Sequence, residues 1–214
     1  MTISTVAPAL REIGRDFYKR GWVLGTSGNF SVVLSRDPLR LAITASGVSK
    51  GDIKPGDLLT IGADGKTIGK GMARKIGKTG DRPSAEAHLH VAVVKTRGAS
   101  AILHTHSVWS TMLSDAHASG GDLSGLSIEG FEMLKGLEGV ETHQHAEWVP
   151  ILENDQDIPR LARKVEAVLA EHPAAHGFLL RGHGLYTWGA NLAQARRHIE
   201  IFEFLLETVG RMRK

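Results

Sequence analysis

The sequence predicts a single α/β domain spanning residues 1–214, and three observations carry that expectation. Segments with apolar residues at helical spacing are interspersed with short apolar runs of strand length along the whole chain. No linker and no internal repeat interrupts it. The composition, 42% hydrophobic and 23% charged over 214 residues, provides a core without disulfide staples, and the chain has no cysteine to make them.

Residues 5–20 read as an amphipathic helix through Val6, Leu10, Ile13 and Phe17, with Gly21 as its stop. A polar turn, Gly25-Thr26-Ser27-Gly28-Asn29, leads into a strand at 30–34, whose hairpin partner is 41–44. A second small turn, Ala45-Ser46-Gly47, precedes a strand at 57–61. Residues 69–82 are a Gly-rich basic stretch (Lys70, Arg74, Lys75, Lys78, Arg82), read either as a solvated loop or as a substrate-facing lip. Pro83 marks the first turn of a helix running through Thr96 and closed by Gly98. Residues 101–103 are a buried strand entering His104-Thr105-His106, followed by a helix over about 108–117 and a Gly/Ser-rich loop at 119–125. Residues 148–152 are strand-like, and Pro150 demotes them to an edge or a strand end. A helix at 158–171, strands at 178–180 and 185–188, and a final helix capped by Asn191 and Gln194 complete the chain.

These features exclude several function classes. No apolar run approaches the ~20 residues of a membrane span. The N-terminus lacks the basic start and apolar stretch of a secretory signal, so a cytoplasmic location is expected. Lys and Arg exceed Asp and Glu by 26 − 23 = 3, a bias suited to a small anionic ligand. Aromatic residues are 6% of the chain and are not interleaved with the basic ones, so no nucleic-acid surface is expected. Without cysteine, a borderline divalent metal must be held by imidazole and carboxylate.

Eleven histidines are the unusual count. His104 and His106 stand i, i+2 at the end of an apolar strand, where both side chains share one face and can converge on one ion. His183 also follows an apolar strand, between two glycines, and is the best third candidate. Three imidazoles leave an open position for substrate, the pattern of a catalytic zinc site. His88/His90 fall in a predicted helix, where i and i+2 diverge by ~200° and read as one surface and one packed residue. His143/His145 precede a strand and read as structural or surface groups; the other four, including His176 and His198, read as ordinary. The turns at Gly28-Asn29 and Ser46-Gly47 present backbone N–H groups able to hold an anion, and Ser84 adds a hydroxyl at a helix start. Of the carboxylates, Glu86 lies near that helix start as a cap or a site residue, and Glu129 and Glu132 stand i, i+3; spacing does not choose between them.

The segments GTSGN, TASG, PSAE, HTHS and RGHG occur here in the order and spacing of the class II aldolase/adducin family, which the chain resembles over nearly its whole length. The resemblance implies a central, mainly antiparallel sheet flanked by helices, and a homotetramer with active sites at subunit interfaces. It implies Zn²⁺, one ion per subunit, on His104, His106 and His183, and a sugar-phosphate substrate whose phosphate meets Gly28, Asn29, Ser46, Gly47 and Ser84. The stretches at 131–136, 149–154 and 186–189 are similar to a dehydratase branch of the family. In that branch the glutamate before Met-Leu-Lys-Gly is the acid/base, which selects Glu132. Glu86 stands where sugar-phosphate aldolases and epimerases carry an acidic residue and some dehydratases carry cysteine, giving it a second catalytic role. Two alternatives accompany this expectation: an aldolase or 4-epimerase on a related sugar phosphate, and a catalytically inert interaction module.

Overall fold

The computed structural model describes residues 1–69, 82–121 and 123–213. Lys70, Arg74, Lys75 and Lys78 of the expected basic loop lie outside them. The described strands form one eight-stranded sheet in the order β3-β2-β1-β4-β8-β7-β6-β5. They are β1 (Asn29–Arg36), β2 (Leu39–Thr44), β3 (Leu58–Gly62), β4 (Ala101–Thr105), β5 (Leu123–Ile128), β6 (Glu147–Leu152), β7 (Gly177–Leu180) and β8 (Gly184–Gly189). Every neighbouring pair is antiparallel except β6 and β7.

Among the described residues, five α-helices cover the two faces. On one, α1 (Ile3–Lys19), α3 (Val108–Ala116) and α5 (Leu192–Met212) contribute Leu10, Phe17, Leu113, Ile199 and Phe202 to a core shared with Phe30, Leu103 and Leu185. On the other, α2 (Ala87–Arg97) and α4 (Ile158–Glu171) contribute Leu89, Val93, Leu161 and Val165 to a core shared with Ile43, Ile102 and Tyr186. The expected apolar stripe of α1 is the buried one. Asn191 caps α5 by accepting the Gln194 N–H, as its sequence requires.

The structure departs from the sequence reading at three places. Pro83 does not open α2: it bridges to Ala45, and Ser46 N–H donates to the Arg82 carbonyl, so 82–83 belong to the turn of the β2 end and the helix begins at Ala87. The expected loop at 119–125 overlaps β5, an edge strand that pairs along all of β6; Leu123, Ser124 and Gly125 supply too few apolar side chains to announce it. Pro150 lies within β6, between two neighbours, and not at the sheet edge. The strand tolerates a residue without an N–H there because the ladder to β7 begins only at Ile151.

β1, β4 and β8 are adjacent near the middle of the sheet. Their register sets Asn29, His104 and Tyr186 in one row, with Asn29 opposite His104 and His104 opposite Tyr186. The site is built around this row.

Candidate metal centre and substrate cavity

His104 is fully buried on β4. Its ring lies flat on Tyr186 at 3.8 Å, and Nδ1 donates to the Leu185 carbonyl at 2.9 Å. A carbonyl can only accept, so the proton of the neutral ring sits on Nδ1 and Nε2 carries a lone pair. His106 follows just past the strand end, anchored by its backbone N–H on the Trp22 carbonyl. His183 occupies the β7–β8 turn after Gly182, whose φ of 62° is in the left-handed region. Gly184 comes next, and a Cβ there would lie 2.1 Å from the Thr105 carbonyl oxygen, so only glycine lets β8 pass this close to β4.

These elements bring three Nε2 atoms together. His104 and His106 are 2.7 Å apart, His106 and His183 3.1 Å, and His104 and His183 3.3 Å. Glu86, at the N-terminus of α2, places Oε1 3.0 Å from His183 Nε2 and 3.9 Å from His104 Nε2. With one of the three nitrogens already a bare lone pair, protons cannot satisfy every contact in the triangle. A divalent cation satisfies them together, and the set of three imidazoles and one carboxylate suits zinc. Burial pushes the His104 imidazole well below its ordinary value, and burial takes His106 down to about 4, so both stay neutral and available as ligands. Burial alone would raise the Glu86 carboxyl. The His183 hydrogen bond, the His104 and His183 rings and the Asn29 amide outweigh it and hold the group well below the carboxylate range.

Asn29 orients Glu86. Its amide donates to Glu86 Oε2 and, at 3.3 Å, to Ser84 Oγ. Its Oδ1 accepts from His90 Nε2, and His90 Nδ1 meets the Ser31 hydroxyl at 2.7 Å. The expected packed histidine of the His88/His90 pair is therefore more than a core filler, because it holds Asn29 in place. Burial lowers His90 to about 4, which keeps it neutral in that contact.

A cavity of about 310 Å³ opens beside the cluster. Gly28, Asn29, Ser46, Gly47 and Ser84, the residues expected at an anion, all line it, with Glu86, His106 and His183 at one side. Gly28 (φ 70°) also packs its turn against β4, where a Cβ would meet the His104 carbonyl oxygen at 2.5 Å. Lys50 lines the same cavity, and sequence reasoning missed it. It is 1% exposed, its Nζ donates to the Thr26 and Val48 carbonyls at 2.7 and 2.6 Å, and burial lowers it to about 8. The only signal was a lysine three residues after Ser46-Gly47.

Glu132 stands apart from this cluster within one chain. Residues 132–136 form a 3₁₀ turn whose Leu134 is buried in the α5-side core, and Gly136 packs against Ile201. The Glu132 side chain is 72% exposed, 2.7 Å from Lys135 Nζ and 3.7 Å from His143 Nδ1. Glu129, the unselected member of the pair, is exposed in the connection before this turn.

An α/β sheet that gathers three imidazoles and a carboxylate at the mouth of an anion-cradling cavity defines a metal-dependent enzyme of the class II aldolase type. The match to the Class II Aldolase and Adducin N-terminal domain covers residues 9–209, and the chain belongs to that family. Among its relatives, a protein of Methylococcus capsulatus named methylthioribulose-1-phosphate dehydratase is 42% identical over 97% of this chain and 94% of its own. One of the same name from Pseudomonas savastanoi pv. phaseolicola is 44% identical over 94% and 92%. Among solved structures, L-fuculose-1-phosphate aldolase of Thermus thermophilus superposes with a TM-score of 0.71 at 25% identity, covering 97% of this chain and 95% of that one. YgbL of Klebsiella pneumoniae does so with 0.77 at 25% identity, covering 100% and 92%.

Proposed function

We propose that this enzyme removes water from 5-methylthioribulose 1-phosphate to give the 2,3-diketo-5-methylthiopentyl 1-phosphate, a step of methionine salvage. The observation that carries the reading is the meeting of His104, His106, His183 and Glu86 at one side of a cavity lined by phosphate-type turns. Relatives at above 40% identity over nearly the whole chain, named for that reaction, support the choice of substrate.

In this reading Gly28, Asn29, Ser46, Gly47 and Ser84 hold the substrate phosphate through backbone N–H groups and hydroxyls. The buried Lys50 ammonium adds positive charge to that end of the cavity. His104, His106 and His183 hold zinc, which when bound supplies Lewis-acid polarisation that acidifies the substrate's C3 proton. A carboxylate takes the C3 proton, and the C4 hydroxyl leaves as water once protonated. The enol that remains ketonises to the diketone. Glu132 is assigned the proton transfer. Because it is exposed on its own chain, it acts on a site shared between subunits, in the homotetramer that the family resemblance implies. Glu86 is the second acid/base, held ionised beside the histidines by Asn29. Among the described residues no helix is long and apolar enough to cross a membrane.

The test is to supply purified, zinc-loaded protein with 5-methylthioribulose 1-phosphate and follow diketone formation, with fuculose and ribulose phosphates in parallel. Turnover of the first alone is expected. Cleavage of fuculose phosphate into two fragments without diketone would establish the aldolase reading, which the acidic Glu86 within the cluster favours.

A further inference from the structure

A second group of ligating side chains lies away from this centre. Glu147, at the start of β6, is 1% exposed. Its Oε2 is 2.8 Å from His145 Nε2 and 3.0 Å from His176 Nδ1. Its Oε1 accepts the His176 backbone N–H at 3.0 Å, which turns the other oxygen toward the two rings. These spacings fall in the 2.7–3.3 Å range seen among the three imidazoles of the first centre.

The protons decide what the group can do. His176 Nε2 points at the Glu138 carbonyl oxygen, 2.8 Å away. A carbonyl only accepts, so Nε2 carries the proton of the neutral ring and Nδ1 presents a lone pair to Glu147. Two acceptors then face each other at 3.0 Å. Either the ring carries a second proton, or a cation lies between them. The same logic, a backbone carbonyl fixing the far nitrogen of a ligand histidine, operates at His104.

We propose that His145, Glu147 and His176 form a second binding site for a borderline divalent cation such as zinc. The ligand set, two imidazoles and one carboxylate, is one that zinc takes with a fourth position left over. His145 and His176 also line a cavity of about 550 Å³, together with Arg97 and Gln194. Binding displaces the second proton from His176 Nδ1 into solvent, so affinity falls as pH falls. The ion ties together β6, the approach to β7 and the connection after the Glu132 turn. That connection carries His143, the partner of Glu132.

The test is metal stoichiometry in the full-length protein. The native chain, stripped and titrated with zinc against a chromophoric chelator, is expected to take up about two equivalents. His106→Ala/His183→Ala, which leaves the first centre one imidazole and Glu86, is expected to keep about one. His145→Ala, at a half-buried position, is expected to lose one equivalent relative to the native chain, and adding it to the double variant should abolish uptake. Uptake that His145→Ala leaves unchanged, or a native chain that saturates at one equivalent lost entirely in the double variant, would overturn the proposal and leave a doubly protonated His176 paired with Glu147. If His145→Ala fails to fold, the native and double-variant titrations still decide. If the native chain holds one equivalent that His145→Ala removes and the double variant keeps, the second site stands and the first centre falls.

Discussion

Gly184→Ala is the sharpest perturbation of the metal centre, because it replaces no ligand and acts on the backbone that positions two of them. The added Cβ would lie 2.1 Å from the Thr105 carbonyl oxygen and 3.2 Å from His104 Cε1, against 3.4 Å for ordinary contact. The oxygen belongs to the β4 backbone and cannot rotate aside, so β8 must withdraw from β4 by about 1.3 Å, the difference between the two distances. Ligand positions in a zinc site tolerate about ±0.2 Å. The displacement exceeds that several-fold, and it falls between the strand bearing His104 and the turn bearing His183. Zinc affinity at this centre should drop at least ~10–100-fold, the usual cost of losing a group that orients a ligand. Overpacking should cost a further ~1–3 kcal/mol, or several degrees in Tm for a chain of this size. Gly182→Ala is the control: it suffers a left-handed backbone (φ 62°) but its Cβ meets nothing within 4 Å, so it should lose ~1–2 kcal/mol and keep its metal. The assay is zinc competition against a chromophoric chelator, with thermal melts alongside. Native affinity in Gly184→Ala, or equal loss in Gly182→Ala, would show that the approach of β8 to β4 does not set the ligand geometry.

Three other outcomes follow from the site and its surroundings. Glu132→Gln should lower kcat by ~10²–10⁴ while zinc content stays native, checked by diketone formation and atomic emission. Lys50→Met should raise KM for the phosphorylated substrate by ~10-fold or more, since the cavity loses its buried charge and the Thr26 and Val48 carbonyls lose their donor; initial-rate kinetics measures this. His198 is lowered to about 4, chiefly by burial, and its two nitrogens are engaged by the Trp188 carbonyl and the Glu138 N–H. Below 6.5 the unfolded chain takes a proton at this position that the folded chain refuses until about 4, so this residue's contribution to stability is lost as pH falls through that window. His198→Gln should therefore shrink the stability difference between pH 7 and pH 4.5 by ~2–3 kcal/mol, at 1.36 kcal/mol per unit, read from urea unfolding at the two pH values.

The element types and the core were largely legible because burial imposes periodicity. Val6, Leu10, Ile13 and Phe17 mark the inner face of α1, and β7 and β8 announce themselves as apolar runs. β5 was hidden because an edge strand needs few apolar residues when its partner supplies the pairing. Pro150 misled because one missing N–H excludes a residue only where a ladder bond is required. Lys50 and His90 left little signal: their roles come from carbonyls and side chains that the turns and β1 bring to them.

The sequence by itself determined the class of fold and which histidines were worth pairing, since strand alternation puts residues 104 and 106 on one face wherever the strand lies. Tertiary structure decided that residue 183, the third candidate the sequence offered, reaches them from 77 positions away, that Glu86 turns toward the rings, and that Glu132 does not within one chain. The physical reason is that these contacts depend on strand order and on how closely two backbones approach. The antiparallel placement of β8 beside β4, allowed by Gly184, is a property of the packed sheet and of no local segment.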